Sequence, residues 1–247
     1  MTAERTCLLH LLGTLLKRPV RLDPDLPIGV LVGRGITMAL GFVRGLLLAR
    51  RRVVLEPGAR IVAPQRLRVA GGLVRLGPYS RVDCTSRKGI ELGQSFKLGA
   101  FSQMIASGTL ADLGEGIVIG DNVGIGEFAY LGGAGGLQIG SDVIVGQYFS
   151  THPENHVFSN PDVPIREQGV TREGIHIGSD CWIGAKVTIL DGVTLGRGCV
   201  VAAGSVVNRS FPDYSIIGGV PARVLKSRTR SVSPTSKNTG DNTNDHS

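Results

Sequence analysis

Two histidines, His152 and His156, stand four residues apart in GQYFSTHPENHVF, and a third, His176, follows twenty residues later. An imidazole with an ordinary pKa of about 6.5 can take a proton from a hydroxyl near neutral pH, so either of the first two is a candidate general base. Three histidines are also a zinc donor set, which makes a metal site the rival chemistry. His10 and His246 lie apart from these, in an apolar N-terminal segment and a polar tail. Cys7, Cys84, Cys181 and Cys199 include no C-x-x-C pair, so neither a zinc ribbon nor a dithiol redox site is indicated, and a reducing compartment is expected.

The element that must position these residues is a repeat. From Ile177 the chain reads IGSDCW, IGAKVT, ILDGVT, LGRGCV, VAAGSV, VNRSFP, with an aliphatic residue at 177, 183, 189, 195, 201 and 207. The register also runs from Ile119 through Ile125 to Leu131, slips by two and resumes at Ile139 and Val145; earlier it shows at Leu76, Leu92 and Leu98. Neither the helical period nor simple alternation explains a repeat of six. A short strand per hexad explains it, with its aliphatic residue inward and a tight corner after it. Three such sides close a turn of eighteen residues, and successive turns pair their backbones about 4.8 Å apart. The expectation is an all-β parallel coil around an aliphatic column too narrow for rings, in keeping with only 5% aromatic residues and 36 glycines to serve the corners. Cys181 and Cys199, eighteen apart and both fifth in their hexads, should stack as buried free thiols.

A mean hydropathy of +0.14 excludes a mainly disordered chain. The formal charge of +7 is unevenly placed: residues 1–75 carry net +9 and the remainder net −2. This basicity is interleaved with Leu, Val and Gly rather than with aromatics, so no nucleic acid is expected as partner and an anionic membrane surface fits better. The most apolar stretch, Leu26 to Arg52, contains Arg34 and Arg44 and ends in Arg50, Arg51 and Arg52. Two internal arginines make a bilayer-crossing helix costly, about 2.5–3.5 kcal/mol each. Residues 1–52 are therefore read as a basic helical segment that either lies peripherally on a membrane or caps the coil. The run from Cys7 to Leu16 lacks a signal-peptide cleavage site, and no secretion is expected.

The hexads, with Trp182-Ile183-Gly184 after a histidine-bearing loop, Ala203 to Val207, and the closing GVPARVL of 219–225, resemble the left-handed parallel β-helix acyltransferases. NHVFSNPDVPIREQG followed by GIHIGSDCWIGAKVTILDGVTLG is similar to the polysaccharide O-acetyltransferases related to the maltose and galactoside enzymes. The resemblance covers roughly residues 53–228, leaving 229–247 as a polar tail expected to be disordered. It implies a left-handed β-helix domain with an active-site loop over 157–174, acetyl-CoA as co-substrate, no metal, a homotrimer, and a cytoplasmic location, with a peripheral place on the inner membrane face as the further expectation. By the family's register the catalytic histidine follows Val145 by eleven positions, which is His156, with His152 as the competing candidate. Trp182 and Ala185 would line the groove of the donor, Gly146 and Ala203 would offer backbone groups to its pantetheine arm, and Asn208, Arg209, Arg223 and Lys226 would approach its phosphates. Asn208-Arg209 replaces the family's usual Thr-Lys, which keeps the charge but changes the hydroxyl contact.

The implied reaction moves an acetyl group from acetyl-CoA to a saccharide hydroxyl, in capsule, exopolysaccharide or lipopolysaccharide synthesis, with a lipid-linked or a soluble acceptor. Phe128, Tyr130, Arg166 and Gln168 are unranked candidates for the sugar. Three alternatives stand beside it. One is an acetyltransferase for a small soluble acceptor such as a nucleotide amino sugar, an amino acid or an antibiotic. Another is a non-catalytic β-helix scaffold. The third is a zinc site of the γ-carbonic anhydrase kind, which shares the coil and would need His176 as its third ligand.

Overall fold

A computed structural model describes residue 23 and residues 25–228 of the chain. The expectations for Cys7, His10, the run from Cys7 to Leu16 and the 229–247 tail lie outside the described residues. The described chain winds into a left-handed parallel β-helix with three faces. Face A runs in nine strands from β1 (Val53–Leu55) to a closing hairpin, Ser215–Gly219 with Ala222–Ser227; face B has seven strands and face C six. Each hexad supplies one short strand whose aliphatic residue points inward, as in Ile175–Ile177, where the two isoleucines are buried and His176 is exposed.

The eighteen-residue turn is strict only near the end: Ile177 pairs with Leu195, Ile183 with Val201 and Ile189 with Val207. Earlier turns are longer because residues are added at corners or looped out. The two-residue slip falls in the corner between Leu131 and Leu137, since the strand Leu137–Ile139 pairs residue for residue with Ile117–Ile119 and Ile175–Ile177. Between the paired Leu98 and Ile125 the surplus leaves as an excursion over 107–115, and between Val145 and Ile183 it leaves as the histidine-bearing loop.

The column is wider than expected in one respect. Phe96 and Phe149 are fully buried, against the expectation that rings do not fit. Both are fifth in their hexads, a second inward position held elsewhere by Val187, Cys181 and Cys199. The Phe149 ring uses the space left by Ala129, which the strand register places beside it on the preceding turn. Cys181 and Cys199 are buried and unbridged on neighbouring turns. The Cys181 thiol is held above its ordinary value by its contact with the Cys199 sulfur and by burial, while burial and the Asp83 carboxylate push Cys84 up to about 12. Along the edge between faces A and B the left-handed corner positions carry Tyr79, Phe101, Phe128 and Tyr148, stacked face to face at 5.0–5.3 Å between ring centres, with Lys186 over the last ring.

Before the coil stands helix α1 (Ile28–Arg44), continued by a π-helical turn over Gly45–Ala49 and stopped where Arg50 turns left-handed. It packs on β1, the edge strand of face A, through its two bare positions. A Cβ on Gly45 would lie 1.9 Å from the Val53 carbonyl oxygen, and one on Gly41 would lie 2.7 Å from a Val54 methyl. Arg51 ties the junction by donating from Nε to the Leu67 carbonyl at 3.0 Å. One side of the helix thus covers the first turn of the coil.

Gly45→Ala should force α1 off β1 at a cost of about 1–3 kcal/mol. Limited proteolysis should then cut between residues 28 and 52 faster than in the unmodified chain, while Cys181 and Cys199 stay protected from thiol reagents; equal labelling and cutting would show that the helix is not seated by this contact.

Candidate active site

His156 leaves the coil at the edge between faces B and C. The strand Ser150–His152 is the face B strand of this turn, and Asn155–His156 then pairs antiparallel with Val170–Thr171, His156 opposite Val170. The expected loop over 157–174 is therefore shorter in its free part, because its last residues return as a strand and the chain rejoins face C at Ile175. The free part is tied to itself. Gln168 donates to the carbonyls of Asn160 and Val163 and accepts from the Asn160 N–H, and Ile165–Glu167 forms a 3₁₀ turn. His156 is exposed at the end of this two-stranded stem.

The other histidines point elsewhere. His152 stacks on Tyr130 at 5.7 Å between ring centres, and His176 lies on face C with Nδ1 3.3 Å from the Gln138 Oε1. Among the described residues no three His, Cys, Asp or Glu side chains are grouped to hold a metal ion. Of the candidates for the sugar, Gln168 is spent on the loop, and both faces of the Phe128 ring are covered by Phe101 and Tyr148. Tyr130 stays beside His152, and Arg166 is exposed on the 3₁₀ turn.

Most of the donor-side residues gather at a different edge. Gly146, Ala185 and Ala203 occupy successive corners between faces A and B. They lie so close that a Cβ on Gly146 would meet the Ala185 Cα at 2.8 Å, and one on Gly184 would meet the Ala203 Cα at the same distance. Gly146 spends its N–H on the Ile183 carbonyl, so of its two backbone groups the carbonyl is the one left to offer. Among the described residues the N–H groups of Ala185 and Ala203 have no acceptor. Beside this corner Trp182 stands out from face A, 58% exposed, between Ile144 and Val200. Arg223 and Lys226 are exposed on the closing strand Ala222–Ser227, which extends the same face. Asn208 and Arg209 follow the last strand of face B, with the Arg209 guanidinium 5.3 Å over the Phe211 ring. One chain therefore brings Gly146, Trp182, Ala185, Ala203, Arg223 and Lys226 to face A and its corner, and carries His156, with Asn208 and Arg209, on the opposite edge of face B.

Sequence reading missed what holds the stem. Arg172, mostly buried, donates from Nε to the Glu154 carboxylate at 2.7 Å and reaches the Asp112 carboxylate at 2.9 Å. Glu154 and Arg172 flank the two short strands that carry His156, and Asp112 belongs to the 107–115 excursion, whose Leu110 is 93% exposed. On the other side Asp191 accepts the N–H groups of Glu173 and Gly174, and it receives the Asn155 amide at 3.5 Å. The gap in the hexad register between Leu98 and Ile117 was the available signal for the excursion, but nothing local linked it to Arg172.

The profile of the bacterial transferase hexapeptide family, six repeats, matches residues 174–209. The chain is 33% identical over 162 residues to a protein named as an acetyltransferase in Mycobacterium tuberculosis, covering 65% of this chain and 52% of that one, so it spans about half the length of that relative. It is 28% identical over 162 residues to a protein of Escherichia coli K12 named as a lipopolysaccharide biosynthesis O-acetyl transferase, covering 62% and 78%. A Staphylococcus aureus protein named as an acetyltransferase is 32% identical over 153 residues, covering 60% and 73%. Parallel coil, hexad register and histidine stem define a hexapeptide-repeat acyltransferase. The chain belongs to the bacterial hexapeptide-repeat transferase family, among its acetyltransferases.

Arg172→Gln removes the charged link between stem and excursion and should lower stability by about 1 kcal/mol, the cost of leaving the half-buried Glu154 carboxylate without its partner, while the exposed Asp112 keeps Arg87. Proteolysis should quicken in both 107–115 and 157–169, and a change confined to one segment would show that the two are not coupled through Arg172.

Proposed function

We propose that the chain transfers the acetyl group of acetyl-CoA to a hydroxyl of a saccharide, acting in the cytoplasm as a homotrimer in capsule, exopolysaccharide or lipopolysaccharide synthesis. The observation that carries this reading is the separation of the two half-sites. His156 projects from the edge between faces B and C, while the free N–H groups of Ala185 and Ala203, the Trp182 ring and the Arg223 and Lys226 cations lie on face A and its far corner. Each half is incomplete alone. Packing the histidine stem of one subunit against face A of the next supplies the whole constellation.

The chemistry follows from that assembly. The pantetheine arm lies along the corner, held by the unpaired N–H groups and the apolar side of Trp182; the cations of Arg223 and Lys226 meet the phosphates, joined by Arg209 of the subunit that supplies the histidine. His156 takes the proton of the acceptor hydroxyl as its oxygen attacks the thioester carbon. Backbone N–H groups stabilise the oxyanion of the adduct, and as the C–S bond breaks the imidazolium returns the proton to the departing sulfur. No enzyme nucleophile is needed. The relative named for lipopolysaccharide O-acetylation supports a saccharide acceptor, over a small soluble acceptor or a scaffold.

His156→Ala should lower acetyl transfer to a saccharide panel by roughly 10²–10⁴ with little change in acetyl-CoA affinity, whereas His152→Ala should be milder. The reverse order would make His152 the base. Co-expressing His156→Ala with a groove-filling Ala203→Trp should restore part of the activity that each lacks alone, because mixed trimers contain one intact interface; no restoration would place the whole site within one chain.

A further inference from the structure

Viewed down α1, the arginines that interrupt its apolar sequence are gathered on one side. At 100° per residue, Arg34 falls within about 20° of Gly41 and Gly45, the positions pressed on β1. Its side chain lines a cleft with Glu56, Arg75, Lys97 and Glu127 on the body of the protein. Arg44 flanks the same seam and is half-buried. The opposite side is unbroken: Ile28, Val32, Ile36, Leu40, Val43 and Leu47 fall within about 120° of arc and are 44–72% exposed. Leu46 and Leu48 extend it, and the exposed Arg50 and Arg52 stand at its end; Arg51 is turned inward to the Leu67 carbonyl.

We propose that this face docks on an anionic lipid bilayer, with α1 lying in the plane of the interface and Arg50 and Arg52 among the headgroups. An apolar stripe of this size on a free surface needs a cover, and the charge at its rim selects which one. Two copies of the chain meeting on the stripe about a twofold axis parallel to α1 would bring like arginine clusters together, whereas anionic headgroups neutralise the cluster directly. The helix over Ile28–Ala49 is long and apolar enough to cross a membrane. Its seat opposes crossing: Gly41, Gly45 and Ala49 are buried, the two glycines against β1, so a crossing helix would have to leave the edge strand that its second half covers. Burying only the outer face leaves that seat intact.

The test is sedimentation of the full chain with vesicles. The protein should pellet with mixed phosphatidylglycerol–phosphatidylcholine vesicles, bind phosphatidylcholine alone more weakly, and be only partly released by high salt, because the apolar contribution survives screening. Ile36→Glu/Leu40→Glu/Leu47→Glu changes exposed side chains only, so it should fold and lower vesicle partitioning by about tenfold or more. Arg50→Glu/Arg52→Glu should weaken binding to the anionic vesicles by roughly fivefold for each position and leave neutral vesicles unaffected. The proposal fails if the unmodified protein stays in the supernatant with both lipids, if the triple variant pellets equally well, or if high salt releases everything. Self-association that the triple variant abolishes, without vesicle binding by the unmodified chain, would assign the face to a second copy and overturn it.

Discussion

Everything in this molecule depends on the backbone ladder from one turn of the coil to the next. Each short strand is too brief to be stable alone and survives because its N–H and C=O groups pair with the turns before and after it. That demand sets the corner chemistry. Where Gly146 meets Ala185 and Gly184 meets Ala203, a larger residue at either glycine would force the turns apart and break the pairing beside it. The aliphatic column of Ile177, Ile183 and Ile189 contributes most of the apolar burial, but the ladder decides where those side chains can stand.

The same ladder decides where chemistry can be added. A strand inside a face cannot take an insertion without losing its partners, so surplus chain leaves near corners, as the 107–115 excursion and the 153–174 segment both do. These two lie side by side at one edge and are joined there by Arg172 between Glu154 and Asp112. The regular turns meanwhile leave unpaired N–H groups at the A–B corner, where the polypeptide bends too sharply to satisfy Ala185 and Ala203 internally. A loop that carries a base and a regular corner that carries donors are therefore produced by one constraint, on different edges of the coil.

The first turn has a neighbour on one side only, and β1 would present an open edge without α1. The helix covers it by bare backbone contact at Gly41 and Gly45, which turns Arg34 toward the cleft with Glu56 and Arg75 and leaves the apolar side chains outward. Capping and exposure are thus two faces of one element rather than competing readings of it.

Much of the fold is legible in the sequence, because a six-residue pattern is a local property that repeats. The strict turns from Ile177 to Val207, the stacking of Cys181 on Cys199 and the outward face of His176 all follow from counting. Counting put the fifth hexad position inward at Cys181 and Cys199 but did not show that it admits a ring such as Phe149, beside the small Ala129 of the preceding turn. Nor did it show that Gly146 has already spent its N–H, that Phe128 is sandwiched, or that Arg172 reaches Asp112, sixty residues away along the chain. The sequence by itself determined the repeat, the column and the family. The tertiary structure alone decided which edge carries each half of the site and which side of α1 meets the coil, because those depend on contacts between residues far apart in the chain, where no period remains to be read.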